Sequence, residues 1–143
     1  MKVLVTGATG FVGKKLCVEI LKKGWQLVVL TRDSKKAEKS LGLPAEFISW
    51  QDEEQDISKD VFDGVDSIVN LAGESISQKW TPEIKESLQS SRIFRTRRLF
   101  DSLKASGHKL KSLVSASAIG IYGNRRDEKL SEDSRLDVNF LGD

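Results

Sequence analysis

The sequence is short of the residues that crosslink a chain or hold a metal. It has one cysteine, Cys17, and one histidine, His108. A single cysteine excludes an internal disulfide and any cysteine-built zinc site. A single histidine excludes a multi-histidine metal centre, so no metal is expected. Both scarcities suit a reducing compartment, and a cytoplasmic location is expected. An excess of one charge is also missing: 23 Lys and Arg face 21 Asp and Glu, for a net charge of +2. Dedicated nucleic-acid binders carry a larger basic excess, so no nucleic-acid partner is expected. No apolar run approaches the ~20 residues that span a bilayer, so no membrane span is expected. Met1 and Lys2 run directly into an apparent strand, so no signal peptide is expected. At 143 residues the chain has the size of one domain.

What is present alternates in character. Lys2-Val3-Leu4-Val5-Thr6 is apolar on both faces, the mark of a strand buried on both sides in a parallel sheet. After Gly7-Ala8-Thr9-Gly10 the apolar residues Val12, Leu16, Ile20 and Leu21 recur at helical spacing, with Gly24 as the cap. Cys17 beside that stripe reads as a small core residue. Leu27–Leu30 is a second strand, and Ser34 would cap a short helix to Leu41. Glu46–Trp50 and Ser67–Leu71 read as the third and fourth strands, with a solvated acidic stretch, Asp52–Asp56, and a short helical stretch, Ile57–Phe62, between them. Thr81-Pro82-Glu83 starts a helix that would run to about Ala105. Leu110–Ser115 is a fifth strand, and from Gly120 onward the pattern reads as loop. Strands alternating with helices predict βαβ units, hence an α/β fold with a doubly wound parallel sheet, the Rossmann fold.

Gly7, Gly10 and Gly13 lie between the first strand and the first helix, where a glycine pattern carries weight. Gly7 permits the tight turn, Gly10 lets backbone approach a pyrophosphate, and Gly13 allows close helix–sheet packing. Amides near Phe11 and Val12, with the helix dipole, would face the anion. A P-loop is excluded, because Ala8 stands where glycine is needed and Lys15 where Ser or Thr is needed.

Val5-Thr6-Gly7-Ala8-Thr9-Gly10-Phe11-Val12-Gly13 has the G-x-x-G-x-x-G spacing and resembles the extended branch of the short-chain dehydrogenase/reductase superfamily. Asn70-Leu71-Ala72-Gly73 is similar to the superfamily segment that lines the adenine and ribose side of the cofactor. Ser115-Ala116-Ser117 followed by Tyr122-Gly123 is a third likeness. Glu74, Lys79-Trp80-Thr81, Lys85, Ser91-Arg92 and Thr96 narrow the resemblance to the atypical, NADP-dependent "epimerase family" subgroup, from Val3 to about Phe140. The resemblance implies cofactor contacts from Gly7, Thr9, Gly10, Phe11, Val12, Gly13, Leu71, Ala72, Gly73 and Glu74. It also implies a full protein about twice as long. The chain is therefore expected to be the N-terminal portion of an NAD(P)-binding domain, over residues 1–143, with an incomplete sheet and no substrate-binding part. An exposed sheet edge needs cover, and a homodimer through it is an expectation.

At the end of the second strand, where NAD enzymes usually carry an acid, stand Thr31 and Arg32. A guanidinium can form paired bonds to a 2′-phosphate, so NADP(H) is the expected cofactor, although Asp33 could reach the ribose instead. The Arg92, Arg95, Arg97, Arg98 run reads as a solvated helix face.

The superfamily's usual apparatus is a Ser or Thr after the fifth strand and a Tyr-x-x-x-Lys pair. Ser117 is the candidate serine, with Ser115 as the alternative register. The sole tyrosine, Tyr122, has Arg126 four places on, and arginine does not replace lysine. Tyr122 is the second catalytic candidate, as acid or base. Where the catalytic tyrosine would be expected, around Phe140-Leu141-Gly142-Asp143, the subgroup has Phe-Leu, and so does this chain. The expected function is an NADP(H)-binding, epimerase/dehydratase- or reductase-like activity on a small substrate of the sugar-nucleotide kind. The alternative is a non-catalytic NADP(H)-binding redox sensor or regulator.

Overall fold

Alternation along an apolar run assigns successive side chains to opposite faces of a sheet. In the computed structural model, which describes residues 1–51, 55–75, 77–79 and 81–137, that rule divides the interior into two cores. Strands β1 (Lys2–Thr6), β2 (Gln26–Thr31), β3 (Glu46–Ser49), β4 (Ser67–Asn70) and β5 (Ser112–Ser115) form one parallel sheet in the order β3-β2-β1-β4-β5. Leu4, Val28, Leu30 and Ile68 point to one face, against Val61, Phe62, Val65 and Leu99. Val3, Val5, Leu27 and Val29 point to the other, against Cys17, Ile20 and Ala37. Full burial of one such side chain stabilises by about 1.5–3 kcal/mol. That is why the strands carry unbroken apolar runs rather than alternating polar ones.

Helices α1 (Phe11–Lys22) and α2 (Ser34–Leu41) cover the second core, while α3 (Pro82–Gln89) and α4 (Arg95–Ser106) follow β4. Helix α2 is capped one residue earlier than expected. Asp33 is the N-cap, and its carboxylate accepts from the Lys36 amide at 2.9 Å. Ser34 is instead the first helical residue, bonded to Ser49. The stretch at Ile57–Phe62 is a single 3₁₀ turn, Lys59–Phe62. Another such turn, Ile119–Tyr122, lies where continuous loop was expected.

The expected helix from Thr81 to Ala105 begins as read. The Thr81 hydroxyl accepts from the Ile84 amide, and Pro82 occupies the first turn. It is interrupted, however, by a π turn at Ser90–Phe94. Wide turns of this kind occur often at functional sites. Trp80, the acidic residues 52–54 and the segment Phe140–Asp143 lie outside the described residues. No helix among the described residues is long and apolar enough to cross a membrane.

Candidate functional site

From β1 the chain moves outward through β2 to β3, then returns to place β4 on β1's other side. The reversal opens a crevice at the carboxyl ends of β1 and β4, where open α/β sheets bind ligands. The two exits are in close contact. The Leu71 amide donates to the Thr6 carbonyl at 3.2 Å. A Cβ at Gly7 would lie 2.6 Å from the Leu71 carbonyl carbon, and Gly7 has φ +67°. Gly7 therefore serves both the turn and the approach of β4's exit. At Gly13 a Cβ would stand 2.3 Å from the Gly7 carbonyl oxygen, which fixes how closely α1 packs on the loop. Gly10 is the N-cap of α1, with extended backbone and no side-chain cap. Helix geometry leaves the amides of Phe11, Val12 and Gly13 without intrahelical acceptors, an arrangement suited to an anion.

A cavity of about 230 Å³ occupies this crevice. Thr6, Gly7, Thr9 and Gly10 form one wall, Leu30, Thr31 and Arg32 another, and Leu71, Ala72, Gly73 and Glu74 a third. Most of the expected cofactor residues are thus together. Phe11, Val12 and Gly13 are not on the cavity wall; Phe11 and Val12 are exposed and Gly13 is buried. Arg32 Nη1 lies 3.9 Å from Glu74 Oε2, and both groups face the cavity. Asp33, the competing acid, is engaged at the α2 cap and is not on the wall.

A second cavity, about 440 Å³, shares Asn70–Gly73 with the first and continues past Arg92, Thr96, Ser115 and Ser117. The exit of β4 is the partition between them. It is held by a polar network: Thr6 Oγ1 donates to Asn70 Oδ1 at 2.5 Å and accepts from the Ala72 amide at 3.2 Å. Asn70 Nδ2 donates onward to Thr96 Oγ1 at 3.2 Å and Ser115 Oγ at 3.4 Å. The π turn completes the partition. Ser91 Oγ accepts from the Glu74 amide at 3.0 Å, and Arg92 Nη2 donates to the Glu74 carbonyl at 2.8 Å.

Ser117 lines the second cavity, as does Ser115. Tyr122 does not. It lies in a separate cleft with Asn124, Arg125, Arg135 and Asp137. The structure therefore does not bring the two catalytic candidates to one wall. Lys79 and Lys85 are exposed and line neither cavity. The first cavity also has walls that the sequence reading left out: Trp50, Ser91, Arg95 and Leu99. Ser91, Arg95 and Leu99 recur every four residues on one helical face, and that spacing was the available signal. The charge run around Arg95 obscured it.

The crevice, the uncapped helix start and a cavity wall carrying Arg32 fit a nicotinamide dinucleotide. Comparisons with known proteins show the fold and the family. The chain is 36% identical over 146 residues to the Epimerase family protein SDR39U1 homolog, chloroplastic, of Arabidopsis thaliana, covering 100% of this chain and 42% of that protein. It superposes on the human epimerase family protein SDR39U1 (isoform 2), solved with NADPH, with a TM-score of 0.79 and 24% identity, covering 99% of this chain and 45% of that one. It superposes on UDP-glucuronic acid 4-epimerase of Bacillus cereus, solved with NAD, with a TM-score of 0.77 and 24% identity, covering 99% and 48%. The chain spans less than half the length of these proteins. The sequence pattern of the NAD dependent epimerase/dehydratase family matches residues 3–139, and the chain belongs to that family.

Proposed function

We propose that this chain is the NADP(H)-binding part of an epimerase/dehydratase- or reductase-like enzyme acting on a small, sugar-nucleotide-like substrate. The observation that carries the cofactor preference is the end of β2. Thr31 and Arg32 line the cavity there, while Asp33 is turned to the α2 cap. A ribose-binding carboxylate is thereby replaced by a phosphate-binding guanidinium. Similar folds have been solved with NADPH and with NAD, so local residues must decide between them. Titration with NADPH and NADH tests this. NADPH should bind at least about 10-fold more tightly, and Arg32→Ala should remove the difference. Equal affinities, unchanged by Arg32→Ala, would overturn the reading.

When bound, the nicotinamide supplies hydride exchange with a carbon bearing a hydroxyl or carbonyl. The chain's own contribution is to hold the dinucleotide with the glycine loop and the Leu71–Glu74 segment. The Ser117 hydroxyl, on the second cavity, would hydrogen-bond the reacting oxygen. An acid–base role for Tyr122 is the companion proposal; unchanged turnover in Tyr122→Phe would exclude it. A non-catalytic redox sensor is the second reading, and the separation of Tyr122 from Ser117 favours it. Consumption of NADPH with a panel of carbonyl substrates supports the enzyme. Binding that alters a partner interaction without turnover supports the sensor. Pairing of two copies across the outer edge of β5, where Val114 is exposed, belongs to the same proposal; a monomer at high concentration by light scattering would count against it.

A further inference from the structure

We propose that Glu74 is a specificity-determining residue for the adenosine 2′-phosphate, as the carboxylate that competes with that phosphate for Arg32. The inference rests on the NADP(H) reading above. Arg32 Nη1 lies 3.9 Å from Glu74 Oε2, and both residues line the first cavity. Among the described residues, Glu74 is the sole acidic side chain on that wall. Asp33 is held at the α2 cap by the Lys36 amide. A carboxylate in this place has two uses. It can accept from the ribose hydroxyls, as the acid at the end of β2 does in NAD enzymes. It can instead hold a neighbouring cation. The observed separation from Arg32 sets Glu74 to the second.

The pair is placed by backbone on both sides. Arg32 directly follows β2, and Asp33 after it caps α2. The Glu74 amide donates to Ser91 Oγ at 3.0 Å, and its carbonyl accepts from Arg92 Nη2 at 2.8 Å. The loop therefore cannot carry the carboxylate away; only the two side chains are free to turn. Side-chain exposure is 69% for Arg32 and 33% for Glu74, so water weakens their attraction. A phosphate monoester of about two negative charges, with three acceptor oxygens, outbids one carboxylate for the same guanidinium. It binds, however, only to the fraction of Arg32 that Glu74 releases. Glu74 thus lowers the 2′-phosphate preference that Arg32 creates. The sign is diagnostic. Removing a group that grips the ligand weakens binding, whereas removing a competing counter-ion strengthens it.

The test compares 2′,5′-ADP with 5′-ADP, which differ only in the 2′-phosphate, by calorimetric titration of the protein. The wild type should prefer 2′,5′-ADP by at least about 10-fold. Glu74→Gln, which keeps the shape and removes the charge, should raise that preference about 3-fold. On an Arg32→Ala background the same substitution should change it by less than about 1.5-fold, because no guanidinium is released. A preference that falls or stays unchanged in Glu74→Gln would overturn the proposal. So would an equal rise with and without Arg32, which would make Glu74 a general repulsive charge. In each of those cases the NADP(H) reading stands. If the wild type does not distinguish the two ligands, the NADP(H) reading itself fails, and this proposal with it.

Discussion

Arg92 donates from Nη2 to the carbonyl oxygen of Glu74 at 2.8 Å, across eighteen residues of sequence. Ser91, the residue before it, accepts from the amide of the same Glu74. Both backbone groups of Glu74 are therefore held by the π turn. The guanidinium also lies against Gly73, where an added Cβ would be 3.3 Å from Arg92 Cζ. This fixes the partition between the two cavities without a strand or helix of its own. Arg92→Ala should loosen it. Cofactor affinity is expected to fall about 5- to 10-fold, with a stability loss near 1 kcal/mol, since the arginine is exposed and its bonds are discounted by solvent. Titration and urea unfolding of the same variant measure both. Unchanged affinity would show that the Gly73–Glu74 backbone holds its shape without the π turn.

Two glycines separate steric crowding from backbone strain. In Gly13→Ala the new methyl would sit 2.3 Å from the Gly7 oxygen and 2.7 Å from the Ala8 Cα, both backbone atoms that cannot rotate away. The loop or α1 must shift, at about 3 kcal/mol, and cofactor binding should be lost with the loop's shape. Gly24→Ala meets nothing within 4 Å, but φ is +71° there. Strain alone should cost about 1 kcal/mol, with binding retained. Denaturation midpoints and cofactor titrations on the two variants should differ in this pattern.

What could be read in advance divides by physical kind. The strands of the sheet were legible because burial on both faces leaves an unbroken apolar run such as Leu27–Leu30. Gly7 and Gly13 were legible because close backbone approach leaves no room for a Cβ there. The π turn was not, because one wider turn changes the hydrogen-bond register without requiring a special residue. Asp33 and Ser34 are both good cap residues, so the pattern could not choose between adjacent positions. Arg95 was assigned to solvent because its neighbours are charged, although its four-residue spacing to Ser91 and Leu99 places it on the cavity. Ser117 and Tyr122 are near in sequence, but spacing along a loop says nothing of which cleft each one enters.

Thr6 and Asn70 form the centre of the polar network beneath the crevice, and both are buried. Buried hydroxyl and amide groups are expensive when left unpaired. Thr6→Val keeps the shape but strands the Ala72 amide and Asn70 Oδ1; a loss of about 2 kcal/mol is expected. Asn70→Leu strands Thr6 and leaves Thr96 and Ser115 without their donor, with a similar loss. Because the two side chains share one bond, the double variant should lose less than the sum, by at least about 0.5–1 kcal/mol. Strict additivity in urea unfolding would mean that the network contributes no cooperative stability.

Cys17 supplies a prediction about pH. Its side chain is fully buried in the core between α1 and the sheet. Burial pushes the thiol from its ordinary 9.0 up to about 11, because the thiolate would be desolvated there. In the unfolded chain the thiol ionises at its ordinary value. Between those two values the unfolded state therefore holds fewer protons than the folded one, and stability falls as pH rises. The contribution is complete below about pH 9 and is lost as pH climbs through about 11. Two units correspond to about 2–3 kcal/mol. The informative quantity is the stability difference between wild type and Cys17→Ala, followed from pH 8 to 10.5. The advantage of the wild type should shrink steadily over that range. At pH 8 the native thiol should also react with a soluble disulfide reagent only as fast as the chain opens, and should react fully in denaturant. Rapid native labelling, or a difference independent of pH, would place Cys17 at an accessible surface instead of in the core.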